Sequence, residues 1–148
     1  MIDTYSRFME LCALPSKSAE EAASGVLNHW VANHGCVARI QSDFGKEFKN
    51  KIMQELCAKL GMEQRFSSIS HPQSNGACER SNKIILNFLR KHLEGTNEWE
   101  SLLPSMKFAH NTMVSASTGF SPHVLAFGRP ARLPSAIHTA SSDEEAPI

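Results

Sequence analysis

The sequence predicts an α/β layer fold, and three features carry that prediction. Short apolar runs alternate with helical periodicities between residues 36 and 94, as in a sheet whose strands are joined by right-handed crossover helices. A capping box, Ser18-Ala19-Glu20-Glu21, and glycines at 35 and 61 punctuate the helices. The 148 residues, 41% hydrophobic and 20% charged, suit one domain able to bury about 70% of its unfolded surface.

Residues 1–14 read as two short strands around Thr4-Tyr5-Ser6-Arg7, with Phe8, Cys12 and Leu14 as core contacts. The helix opened by Ser18 runs to about His34 and packs an apolar stripe of Ala23, Val26, Leu27, Trp30 and Val31 on the sheet. Gly35 then stops it. Cys36 to Ser42 is the next strand. Phe48, Ile52, Met53, Leu56 and Leu60 recur at helical spacing, which predicts a helix over 47–60 closed by Gly61. Met62 to Phe66 is a short strand, and Ser67 to Gln73 a polar loop.

The helix from Ser74 to about Glu94 gathers Ala77, Ser81, Ile84, Ile85, Phe88 and His92 in one arc, with Glu79, Lys83 and Arg90 opposite. The next, over 98–113, has Trp99, Leu102, Leu103, Met106, Ala109 and Met113 on its stripe, and Pro104 predicts a kink or restart. Ser121 to Phe127 forms a short helix with Pro122 first. From Ser135 the chain loses periodicity, so residues 1–134 are expected to fold and 135–148 to form a disordered tail.

Net charge is zero, which argues against strong nonspecific DNA binding by the domain as a whole. Residues 80–91 nevertheless carry Arg80, Lys83, Arg90 and Lys91 without an acid. A solvated helix face is the plain reading of that group. Cys12, Cys36, Cys57 and Cys78 are too dispersed for a zinc motif and fit a reducing compartment better than a disulfide framework. Cys78 adjoins Glu79 without a neighbouring base, so it reads as a small buried thiol. No apolar run approaches the ~18 residues of a membrane span, and the N-terminus lacks the pattern of a signal peptide. An intracellular location, nucleus or cytoplasm, is expected.

Asp43 and Glu79 are the candidate chemical residues. Asp43 follows the strand that contains Val37-Ala38-Arg39-Ile40, and Glu79 lies thirty-five intervening residues later, where His71-Pro72-Gln73-Ser74-Asn75-Gly76 runs into a helix. A carboxylate at a strand end and another on a helix's first turns can converge on a divalent cation. Taken alone, Glu79 reads first as a solvated side chain paired with Lys83 at i+4.

The D-x35-E spacing, the Ser42-Asp43-Phe44-Gly45 turn and the His71-Pro72-Gln73-Ser74-Asn75-Gly76-Ala77-Cys78-Glu79-Arg80-Ser81-Asn82-Lys83 segment together resemble the catalytic core of retroviral and LTR-retrotransposon integrases, nearest the gypsy type. Downstream, Phe108-Ala109-His110-Asn111-Thr112 and Ser117-Thr118-Gly119-Phe120-Ser121-Pro122 fit the same pattern, so the resemblance spans roughly residues 1–134. It implies a ribonuclease H-like three-layer α/β fold with a mixed sheet. The stretch from Met1 to Phe8 looks like the family's second strand, so the sheet is expected to lack its first strand and the catalytic Asp on it. Asp3 corresponds to a position that is not a ligand in the family.

The resemblance further implies 3′-end processing of element DNA and its joining to target DNA, with two Mg2+ or Mn2+ ions in an intact site. Asp43 and Glu79 would be catalytic metal ligands here, for one ion or a weakly held pair. Lys83, Asn75, Ser74, Gln73 and Arg80 would contact DNA. Gly76 would let backbone approach the nucleic acid, His71 would shape the loop's entry and Asn82 would brace the helix. The implied partners are element ends, target DNA and further copies of the chain. With one Asp short, the isolated chain is expected to be inactive; the alternative is an inert remnant or a domesticated nucleic-acid- or protein-binding module.

Overall fold

A computed structural model describes residues 1–67, 72–93 and 98–134, with backbone alone for 72–79. The N-terminal segment is a tight hairpin joined by one antiparallel bridge, Ile2 to Met9, rather than the two short strands expected. Asp3 explains the tightness. Its Oδ2 accepts from the Ser6 amide at 2.7 Å and the Ser6 hydroxyl at 2.6 Å, while Arg7 closes the turn at φ 64°, a left-handed conformation uncommon outside glycine.

The helix expected over 19–34 forms in three pieces: α1 (Ala19–Gly25), a π-helical stretch (Val26–Val31) and α2 (Ala32–His34). Ser18 caps α1 by accepting from the Glu21 amide at 3.2 Å, one half of the expected capping box; the Ser18 amide donates to Ser16 Oγ at 3.3 Å rather than to Glu21. The wide π turn was not legible. It directs Trp30 and His34 away from the core stripe, so that His34 rests on Trp30 and Phe8 with ring centroids 5.2 and 5.3 Å apart. Leu27 consequently stands exposed, and the buried stripe narrows to Ala22, Ala23 and Val26. Gly35 ends α2 at φ 82°.

Strand β1 is Arg39–Ser42, three residues shorter at its start than expected. Helix α3 is Lys51–Lys59, and it starts later than residue 47 because Asn50 is extended and caps it, its side chain accepting from the Met53 amide at 2.9 Å. Strand β2, Glu63–Phe66, runs parallel to β1, with Arg39 beside Glu63 and Ser42 beside Phe66. The core lies on one face of this pair, where Ala22, Ala23, Val26, Met53, Cys57 and Met62 pack together. Ile52, counted on the α3 stripe, instead faces solvent. On the opposite face Glu63 joins Arg39 and Arg65, each at 2.8 Å.

Helix α4 spans Pro72–His92, two residues longer at its start and two shorter at its end than expected. Ser81 is buried and Ile85 and Phe88 partly so, whereas Ile84 and His92 are exposed, so the predicted arc is wider than the covered face. Pro104 produces the restart: a 3-10 turn, Trp99–Leu102, hands over to α5, Leu103–Thr112, and α6 is Pro122–Phe127 with Ser121 as its cap. The expected tail, 135–148, lies outside the described residues.

One side chain ties α5 to the N-terminal hairpin. Buried Asn111 accepts from the Met9 amide at 2.8 Å and donates to the Met9 carbonyl at 2.9 Å, standing in for a neighbouring strand. Nearby, the buried Glu10 carboxylate meets Lys107 Nζ at 2.6 Å and His34 Nε2 at 3.4 Å.

Replacing Asn111 by Ala leaves a buried amide and carbonyl unpaired, and is expected to cost about 2–4 kcal/mol, measured as a lower urea midpoint. The two arginines hold the Glu63 carboxyl below its ordinary 4.5, chiefly through the hydrogen bonds from Arg39 and Arg65. A depressed folded pKa stabilises above the unfolded value and is lost as pH falls through the folded one. The stability difference between wild type and Glu63→Gln should therefore be present at pH 7, vanish in acid and shrink with added salt.

Candidate active site

The parallel ladder decides where Asp43 stands. Beyond the last named pair, the Ser67 amide donates to the Ser42 carbonyl at 2.8 Å, and Gln41 Nε2 donates to Ser67 Oγ at 3.0 Å. The carboxyl ends of both strands are thus pinned together, and Asp43 is the first residue past that edge. Ligands of α/β sheets gather at such an edge.

The loop after Asp43 is fixed from within. The Phe48 and Lys49 amides both donate to the Gly45 carbonyl, at 2.9 and 2.8 Å. Asn50 Nδ2 donates to the carbonyls of Lys46 and Glu47, and Gln64 Nε2 donates to the Phe48 carbonyl at 2.8 Å. An Asn three residues before an apolar helical position is a readable cap signal.

Asp43 is exposed, and its Oδ1 accepts from the Gly45 amide at 3.0 Å. That leaves Oδ2 for an external partner. Glu47, not singled out from sequence, crowds the same backbone. A methyl group on Gly45 would stand 2.8 Å from the Glu47 carboxylate and 3.0 Å from Asp43 Oδ1. Glycine is what lets both acids approach. The loop also carries an aromatic pair: Phe44 stacks on Phe66 with centroids 5.4 Å apart and planes at 18°, and Lys49 Nζ lies 5.1 Å from the Phe44 centroid.

The other predicted residues divide by location. Glu79, Gln73, Ser74, Asn75, Gly76 and Cys78 belong to α4 by backbone, but their side chains lie outside the described residues, as does the whole of His71. Arg80, Asn82 and Lys83 are described and exposed. Asp3, 40 residues earlier, is committed to the Ser6 turn. Burial raises the thiols of Cys57 and Cys12 above their ordinary value, so both are poor nucleophiles at neutral pH.

A divalent cation suits the donor chemistry at Asp43, an exposed hard oxygen held in place by a backbone amide. Among the described residues, no group of three His, Cys, Asp or Glu side chains is gathered for a metal. No described helix is long and apolar enough to cross a membrane.

Comparison with known proteins bears on family and fold. The family described as the integrase core domain matches residues 1–72. The Pol polyprotein of transposon 412 from Drosophila melanogaster is 26% identical over 145 residues, 97% of this chain and 12% of its own length. The Pro-Pol polyprotein of feline foamy virus is 33% identical over 122 residues, 81% of this chain and 10% of that one. The chain thus spans about a tenth of the length of these relatives. Among solved structures, the catalytic core domain of BIV integrase superposes with a TM-score of 0.71 at 21% identity, covering 95% of this chain and 87% of that one. The HTLV-2 integrase catalytic core domain in complex with magnesium gives 0.70 at 20% identity, covering 84% and 80%. These superpositions establish the ribonuclease H-like α/β fold, here with a partial strand set. The chain belongs to the integrase core family of retroviral and retrotransposon Pol polyproteins.

Proposed function

We propose that this chain is a DNA-processing core of the strand-transferase type, acting on the 3′ ends of element DNA and on target DNA. The observation that carries the reading is the exposed Asp43 carboxylate, fixed by the Gly45 amide at the carboxyl edge of the strand pair. Asp43 and Glu79 would hold Mg2+ or Mn2+. Such an ion, when bound, polarises phosphoryl oxygens and supplies a nucleophilic oxygen at neutral pH.

The chain's own residues would bind and orient the substrate. Lys83 lies one helical turn beyond Glu79 and is exposed, a position from which an ammonium meets a DNA phosphate. Arg80 adds a second cation on the same exposed helix. Gln73, Ser74 and Asn75 would contact the strand near the scissile phosphate, with Gly76 allowing close backbone approach. His71 would shape the loop's entry, and Asn82 would brace the helix. The zero net charge makes such binding local, and assembly with further copies would add contacts.

Two carboxylates hold two ions poorly, and Asp3 already spends Oδ2 on Ser6. Catalysis therefore requires a third carboxylate beyond Asp43 and Glu79. A version carrying an additional Asp-bearing strand before Met1 is expected to nick a duplex of the element's terminal sequence in Mn2+, whereas the 148-residue chain is not. That nicking should disappear in Asp43→Asn and in Glu79→Gln. Nicking that survives Asp43→Asn would contradict the assignment.

Gly45→Ala offers a separate check. The position has no left-handed φ, so its backbone tolerates a side chain and the thermal midpoint should barely move. The added methyl would push the Asp43 and Glu47 carboxylates aside, and calorimetric titration should show Mn2+ binding weakened several-fold.

A further inference from the structure

Phe44 is the least explained side chain of the loop. It directly follows Asp43, yet the residue is 48% exposed, which is unfavourable for a large apolar group. The ring is not adrift. It lies nearly parallel to Phe66, with centroids 5.4 Å apart and planes at 18°, and Phe66 ends the neighbouring strand. The Lys49 ammonium stands 5.1 Å from the Phe44 centroid, within the range of a cation–π contact.

The platform is also rigid beneath. Asn50 holds the carbonyls of Lys46 and Glu47, and Gln64 holds that of Phe48. An exposed, braced aromatic ring with an exposed cation beside it is an arrangement by which proteins seat single-stranded nucleic acid: the ring stacks a base, and the cation meets the backbone.

We propose that Phe44, backed by Phe66, is a base-stacking subsite beside Asp43, and that Lys49 swings from the ring to a phosphate of the same DNA strand. The ring would hold an unpaired base next to the phosphate presented to Asp43, so Phe44 and Lys49 are positioning residues for the strand. This rests on the DNA-processing reading above, and the test separates the two.

The test uses the 148-residue chain and a duplex with a short single-stranded 3′ overhang in which one thymine is replaced by 5-iodouracil. Long-wavelength ultraviolet light couples that base to an aromatic ring stacked on it, and peptide mass mapping locates the adduct. The expected adduct is on Phe44. Phe44→Leu should abolish it and weaken binding roughly 5- to 150-fold, the equivalent of the loss of one base–aromatic stack. Phe44→Trp should retain both adduct and affinity, which separates stacking from a folding defect. Lys49→Gln should flatten the slope of log K against log salt by about 0.7. Tight binding with unchanged affinity in Phe44→Leu and the adduct elsewhere would overturn the subsite while leaving DNA binding intact. No binding of the overhang duplex by wild type would overturn the subsite together with the reading on which it rests.

Discussion

The parallel pairing of Arg39–Ser42 with Glu63–Phe66 is the constraint on which the rest of the structure depends. Parallel strands cannot be joined by a turn, so the chain between them must cross over as a helix. Helix α3 is that crossover, and its buried face of Met53 and Cys57 meets Ala22, Ala23 and Val26 of the preceding helix. Because the strands end in register, with Ser42 beside Phe66, the loop that starts at Asp43 emerges beside Ser67, whose amide donates to the Ser42 carbonyl. The one sheet edge therefore holds together the start of that loop and the end of β2.

Hydrogen bonds then set how firmly each part is held. The loop over 43–50 is stitched by Asn50 and Gln64, so Asp43 is presented on a fixed backbone even though its carboxylate is exposed. Fixing a ligand before the reaction lowers the ordering cost at the moment of binding. The sheet's outer face is handled differently. Arg39, Glu63 and Arg65 form a charged ladder in water, which keeps that face soluble and contributes little net stability. Elsewhere, Asn111 pairs with both the amide and the carbonyl of Met9, and Glu10 is buried against Lys107. Both contacts anchor the C-terminal helices to the hairpin.

Much of this was legible in the sequence where local chemistry decides the outcome. Ser18, Gly35, Pro104 and Ser121 each mark a helix boundary that the structure keeps, because caps and prolines act within one turn. The parallel strand pair followed from the alternation of periodicities. Boundaries set by tertiary contacts were less legible. Asn50 delays α3 because its side chain serves the preceding turn as well as the helix, and the π turn over Val26–Val31 accompanies the packing of His34 between Trp30 and distant Phe8. Within the site, Asp43 could be placed from its strand, whereas Glu47, Phe44 and Lys49 acquire meaning only from distances. Position 45 illustrates this best: the sequence shows a glycine, and the structure shows two carboxylates that a methyl would displace.

The central claim is that Asp43 and α4 serve a common cation. Nuclear magnetic resonance with substoichiometric Mn2+ tests it most directly, since the ion's unpaired electrons broaden nearby amide signals steeply with distance. The account predicts that the amides of Gly45 and Arg80 lose intensity together at the lowest metal additions, and that both recover in Asp43→Asn. Broadening of Gly45 with no effect on any α4 amide would contradict it.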